Sequence, residues 1–233
     1  MTTVPAGRQH LIFDADDTLW ENNVLFERTI DDFIDWLAHP TLDPVAVRQI
    51  LIDIERANAA AHGYGSKVFL RSLHDCFERL AERPVDEAAA AEIVALAHRL
   101  EHHEVELIPD VAVTLDALAE RHDVLLLTKG DPEEQQRKID ASGLAHHFRR
   151  AVVVPEKEPN VYAELAAAEG LDPSRTWMVG NSIKSDVNPA LAVGMGAVLI
   201  PNENTWALEH AELQPGATRL LQLQRFGELV HHF

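Results

Sequence analysis

Five short apolar runs recur along the chain: Leu11-Ile-Phe13, Val124-Leu-Leu-Leu127, Ala151-Val-Val-Val154, Trp177-Met-Val179 and Ala197-Val-Leu-Ile200. Runs this short, rich in aliphatic residues and bounded by turn formers, read as strands covered on both faces. Helix-period patterns separate the later ones, over residues 131–141, 160–169 and 186–192. Strand and helix in alternation point to one architecture, a doubly wound parallel, Rossmann-like α/β sheet.

The first two runs are spaced differently. Residues 21–106 show no strand pattern, and apolar positions fall at helical spacing at Phe26, Ile30, Phe33, Ile34 and Leu37, then at Val47, Ile50, Leu51 and Ile54. Further helices are expected over about 66–81 and 86–106. Pro109 then reopens the α/β pattern, with a helix over 111–120. The organisation expected is an α/β core of residues 1–20 and 109–233 with an α-helical cap domain, residues 21–108, inserted after the first strand. Gly194-Met-Gly196 stops a helix and does not follow a strand, so it is no dinucleotide loop. The end of the chain, 226–233, reads as an ordinary helix end.

Charge and cysteine content narrow the partners. A formal net charge of −18 disfavours nucleic acid and anionic membranes, and no apolar run reaches the length of a membrane span. One cysteine, Cys76, cannot form an internal disulfide. With no leader pattern over residues 1–10, a cytoplasmic protein is expected, monomeric or a homodimer.

The chemistry gathers where strands end. Asp14, Asp16 and Asp17 close the first run, and three carboxylates at a strand's C-terminal end repel one another unless a cation joins them. Strand period puts Asp14 and Asp16 toward one crevice, and hard oxygen ligands of this kind suit Mg²⁺. An aspartate-rich turn or helix cap is the bland alternative. The second run ends in Thr128-Lys129-Gly130, Lys157 follows the third, and Gly180-Asn181-Ser182 with Asp186 follow the fourth. A nucleophile, metal ligands and phosphate-binding groups would converge from four loops.

Those four stretches together resemble the haloacid dehalogenase superfamily, in the branch with a helical cap after the first motif. The resemblance spans nearly the whole chain, and Thr128-Lys-Gly-Asp-Pro-Glu-Glu-Gln-Gln-Arg-Lys-Ile is similar to the second-motif region of its small-molecule phosphatases. It implies Asp14 as the nucleophile that becomes an aspartyl phosphate, and Asp16 as general acid and base with its backbone carbonyl on Mg²⁺. It further implies Thr128 and Lys157 as catalytic and phosphoryl-binding groups, and Asn181 and Asp186 as completing the metal site with Asp14 and Asp16. The implied reaction is Mg²⁺-dependent hydrolysis of small phosphoesters. Asp16 favours this over dehalogenation, which has no alkoxide to protonate. A phosphomutase, or a binding protein whose metal site has decayed, remain as alternatives.

Two positions depart from the family pattern. Asn181 stands where an acid is usual, which leaves open whether Asn181 or Asp186 ligates the metal directly. Lys129 replaces a usual asparagine; it either adds a substrate-binding cation or points into solvent. His98 and His102, near Glu101 and Glu104, could hold a metal on one helix face or form an ordinary polar surface. Gly63-Tyr-Gly65-Ser is a turn that could also line a substrate pocket, and Arg56, Asn58, Tyr64, Lys67 and Arg71 are candidate specificity residues or a solvated face.

Overall fold

The computed structural model describes residues 4–81, 85–102 and 104–233, with only the backbone described at 98, 99, 101 and 102. The strands are β1 (His10–Phe13), β2 (Asp123–Lys129), β3 (Arg150–Val154), β4 (Thr176–Gly180), β5 (Gly196–Leu199) and β6 (Leu220–Gln222). In chain order the helices are α1 (Asn23–Leu37), α2 (Pro44–His62), α3 (Ser66–Ala81), α4 (Glu87–His102), α5 (Val111–Ala119), α6 (Pro132–Ala141), α7 (Pro159–Glu169) and α8 (Asn188–Ala192). Two compact units result, one of Met1–Glu21 with Val105–Phe233 and one of Asn22–Glu104.

All six strands of the first unit run parallel in the order β3-β2-β1-β4-β5-β6. Side chains alternate across this sheet, and both faces are covered. Leu11, Phe13, Leu126, Trp177 and Val179 share one core with Leu115, Leu118, Phe226 and Leu229. Ile12, Leu125, Leu127 and Met178 pack on the other face with Tyr162, Leu165 and Ala190. Burial on both sides explains why these strands read as unbroken apolar runs, as parallel sheets require. The doubly wound α/β class expected from the sequence is the one observed.

Four details were not expected. β6 has three residues at the sheet edge, too short and too mixed to register as a strand. Ile183–Val187 is a π-helical turn, its amides from Val187 and Asn188 reaching back five residues to Ser182 and Ile183. Residues 226–231 form 3₁₀ helix. The fourth helix of the insertion is also shorter than the 86–106 pattern suggested, ending at His102.

In the second unit, α1 to α4 enclose their own core, with Phe33, Leu51, Leu73 and Ile93 fully buried. α2 begins on Asp43, whose carboxylate accepts from the Ala46 amide, with Pro44 at the first turn. Asn58 is buried here and donates to Ser72 Oγ and Asp75, so it bridges α2 and α3. Arg56 and Arg71 pair with Asp53 and Asp75 on their own helices. The side chains of His98, Glu101 and His102 lie outside the described residues.

Entry to and exit from the insertion are paired. Trp20 bridges Leu107 in antiparallel fashion, the Glu21 amide donates to the Glu106 carbonyl at 2.9 Å, and Ile108 donates to Leu19 at 3.0 Å.

Candidate active site

In the strand order 3-2-1-4-5-6 the direction of winding reverses between β1 and β4, and at that reversal the loops beyond the strand ends part to leave a crevice. Phe13 pairs in register with Val179 and with Leu126, so Asp14 emerges level with Gly180 and Leu127. Its amide still donates to the Val179 carbonyl at 2.9 Å, which fixes the backbone as the carboxylate leaves the sheet. The chain then turns sharply, with Leu19 donating to Ala15 at 2.8 Å and Asp17 in the left-handed region at φ 60°, where aspartate is tolerated.

Lys157 joins three loops. Its buried ammonium contacts Asp14 Oδ1 and donates to Asp186 Oδ1 at 2.8 Å. Burial disfavours its charge, yet the two carboxylates outweigh that and hold the ammonium well above the ordinary lysine range. Asp186, only 1 % exposed, is raised as well, to about 7: burial lifts its carboxyl, Lys157 draws it down only in part, and the nearby Asp14 raises it further. Its Oδ2 accepts the Ser182 amide at 3.0 Å. The π turn that carries Asp186 contains an exchange of donors: Pro189 has no amide to offer the Ser185 carbonyl four residues back, and Tyr162 Oη donates there instead at 2.7 Å. Gly180 makes room for the arrangement, since a Cβ at that position would overlap the Asp186 carboxylate.

Asn181 and Thr18 complete this side. The Thr18 hydroxyl lies 3.1 Å from Asp14 Oδ2 and 3.3 Å from Asn181 Oδ1, so two oxygens from different loops share one hydroxyl. Asn181 Nδ2 donates to Thr205 Oγ1 at 3.0 Å, which turns its oxygen toward Thr18. Asp14, Asn181 and Asp186 therefore offer hard oxygens only, a donor set that fits Mg²⁺ and not a thiolate- or imidazole-seeking metal. Thr128, 1 % exposed, stands near the end of β2, one strand from Asp14.

Asp16 is held by groups the sequence reading passed over. Lys138 donates to both its oxygens at 2.7 Å, Gln135 to Oδ2 at 2.8 Å and the Trp20 indole to Oδ1 at 2.7 Å. Burial would raise this carboxyl; the Lys138 charge and these hydrogen bonds overcome it, leaving Asp16 below the usual carboxylate range. Gln135 and Lys138 reach the site because Asp131 and Pro132 start α6 there, Asp131 accepting from the Glu133 and Glu134 amides at 3.0 Å. Gln135 also donates to the Lys129 carbonyl at 3.0 Å, directly under Gly130, where a Cβ would collide with it. A signal was available: with Ile139, Gln135 and Lys138 occupy the buried face of α6, polar residues where helical period calls for apolar ones.

Lys129, expected either to bind substrate or to point into solvent, is turned inward against Glu156, Ser185 and Glu209. Neither a bare cation nor a solvated one, its ammonium donates to Glu209 at 2.6 Å, Ser185 at 3.0 Å and Glu156 at 3.1 Å. These contacts tie Lys129 to the π turn and to the loop that carries Glu209. Glu209, from the single 3₁₀ turn Ala207–Glu209, also accepts from the Ser182 hydroxyl at 2.7 Å and from the Ser185 hydroxyl. Burial opposes its charge, but Lys129 and the two serines bring its carboxyl down to about 2. The network braces the π turn through Ser182 and Ser185.

A model of the haloacid dehalogenase-like hydrolases matches residues 9–194, which takes in all four strand-end loops. The chain belongs to that family. This haloacid dehalogenase-like hydrolase is 30% identical to a solved haloacid dehalogenase-like family hydrolase from Xanthomonas campestris, with a TM-score of 0.83 over 97% of this chain and 95% of that one. The human N-acylneuraminate-9-phosphatase is 31% identical over 111 residues, 46% of this chain and 44% of that protein. A phosphoserine phosphatase from Thermus thermophilus is 27% identical over 173 residues, 70% of this chain and 65% of that protein. The chain thus spans less than two thirds of the length of these curated relatives. Among the described residues, no helix of this hydrolase is long and apolar enough to cross a membrane.

Proposed function

We propose that the protein is a Mg²⁺-dependent phosphatase of small phosphorylated metabolites that works through an aspartyl phosphate on Asp14. The observation that carries this reading is the buried Lys157 ammonium on both Asp14 and Asp186. A cation held there keeps Asp14 ionised as a nucleophile and is already in place for the equatorial oxygens of a phosphoryl group. Thr128, at the end of the neighbouring strand, is the hydroxyl donor for those oxygens.

Asp14 Oδ2, Asn181 Oδ1, Asp186 and the Asp16 carbonyl are the groups that would hold Mg²⁺. When bound, the ion neutralises charge on the transferring phosphoryl group and its nucleophile. Asp14 attacks phosphorus and the bond to the leaving oxygen breaks, the alkoxide taking a proton that Asp16 must first have gained from solvent as substrate binds; the Asp16 carboxylate then takes a proton from the water that releases phosphate. The hydrogen bonds from Lys138, Gln135 and Trp20 orient Asp16 and favour its ionised form, the one the second step needs. Presence of Asp16 favours phosphoester hydrolysis over dehalogenation, and two of the relatives are named phosphatases. Substrate choice is assigned to the helical unit, residues 22–104, as the cap. The single cysteine, Cys76, is buried and its thiol pushed up to about 12 by burial, which suits a reducing cytoplasm.

The deciding experiment measures phosphate release from p-nitrophenyl phosphate and a panel of sugar, nucleotide, amino-acid and cofactor phosphates, with Mg²⁺ and with EDTA. Metal-dependent release by the wild type, abolished in Asp14→Asn, is the expected result. Release that survives Asp14→Asn overturns the mechanism.

A further inference from the structure

Away from the strand ends, one other set of donor atoms converges. Asp116 of α5 and the adjacent His146 and His147, on the 3₁₀ turn Ala145–His147 between α6 and β3, each offer one ligand atom, all within 4.8 Å of one another. We propose that these three residues form a second metal site, for zinc or a similar first-row divalent ion, which pins the α6–β3 turn onto α5.

Geometry and donor type support it together. His147 Nδ1 lies 3.7 Å from Asp116 Oδ1, and two donors each about 2.1 Å from a shared ion stand about 3 to 4 Å apart. The imidazole rings of His146 and His147 are 3.9 Å apart between centroids, close for two groups with no shared partner. His146 Nδ1 is 2.9 Å from the Gly143 carbonyl, which can only accept. That nitrogen therefore carries the proton, leaving Nε2 with the lone pair, and a backbone carbonyl orienting a ligand histidine is the usual outer support of a metal site.

Two imidazoles and one carboxylate select for borderline ions such as Zn²⁺ over Mg²⁺, which separates this site chemically from the all-oxygen set around Asp14. With three protein donors, two of them exposed, water would fill the remaining positions. The consequence is mechanical: the turn that leads into β3, and so toward Lys157, gains a tie to α5 beyond the apolar packing of Leu144 and Phe148 and the long Asp116 to His147 pairing.

Calorimetric titration of the full chain with ZnCl₂, beside thermal melts with and without the ion, tests this independently of any phosphatase activity. One Zn²⁺ per chain is expected, with a rise in Tm that Mg²⁺ does not reproduce. In His146→Ala/His147→Ala the affinity should fall by about a hundredfold or more, since even outer-shell changes cost about tenfold to a hundredfold. A control, His231→Ala, should bind as the wild type does, and circular dichroism checks that the double variant is folded. Absence of Zn²⁺ binding by the wild type overturns the proposal. Undiminished binding in the folded double variant also overturns it, by placing the ion on others of the 13 histidines.

Discussion

Lys138 grips both carboxylate oxygens of Asp16 at 2.7 Å from a side chain that is 1 % exposed. Ion pairs with one fully buried member cost more to break than to replace, because removal of either partner strands the other. Lys138→Met should therefore lose about 2–3 kcal/mol, at the modest end because Asp16 keeps 22 % of its side chain exposed. Lys138→Met/Asp16→Asn should lose less than the two single changes together. Urea melts of the four proteins give the coupling directly, and simple additivity would contradict the reading.

Lys157→Met leaves Asp14 and Asp186 buried without their shared cation. The Asp186 carboxyl, raised to about 7 even with the lysine present, then rises further, so the folded state binds more protons than the unfolded one, and stability falls as pH rises from about 4 toward 7. A loss of about 3–5 kcal/mol at neutral pH is expected. Melts at pH 5 should recover part of it, and so should millimolar Mg²⁺ at pH 7. A variant equally unstable at both pH values would show that the carboxylates are not the cause.

Gly180→Ala is predicted to disable the site without touching a functional group. The new methyl cannot coexist with Asp186 where it stands, so the carboxylate must leave the Ser182 amide and Lys157. Phosphate release should drop by about a hundredfold or more, the scale of losing one aimed electrostatic group. Parallel steady-state assays and melts would distinguish this from unfolding, and wild-type turnover would refute it.

Acid should loosen the π turn through Glu209. Its carboxyl is held down to about 2 against an ordinary 4.5, so its contribution is complete above pH 4.5 and lost as pH falls toward 2. The amount is about 3 kcal/mol by the linkage relation. Glu209→Gln should flatten this part of the stability profile between pH 5 and 2, as followed by urea unfolding at each pH. An unchanged profile would locate the acid sensitivity elsewhere.

What the sequence disclosed follows from how each group is placed. Asp14 comes directly after an apolar run, and Lys157 and Asp186 three and seven residues after theirs, so the loops at the strand ends bring them to one edge of a parallel sheet, and the structure joins all three through one ammonium. Lys129 could not be read that way: its partner Glu209 lies 80 residues on, in a 3₁₀ turn with no periodicity to announce it. Gln135 and Lys138 passed as an ordinary polar helix because their contact with Asp16 spans more than a hundred residues. Thr18 carries no signal of its own in the sequence, since a hydroxyl gains meaning here only from Asp14 and Asn181 meeting over it. β6 escaped because three residues, one of them the exposed Gln222, are too few to show an apolar run.

The backbone pairing of Trp20 and Glu21 with Leu107 and Glu106 closes the chain on itself before the helical excursion begins and after it ends. To the sheet, everything between is a single loop with clasped ends, and lengthening such a loop costs little, growing only with the logarithm of its size. Residues 22–104 are in that sense a detachable cassette. A gene could exchange them for a different helical module, or a short hairpin, and leave the catalytic strand ends in register, so that one chemistry can be readdressed to new substrates without being rebuilt.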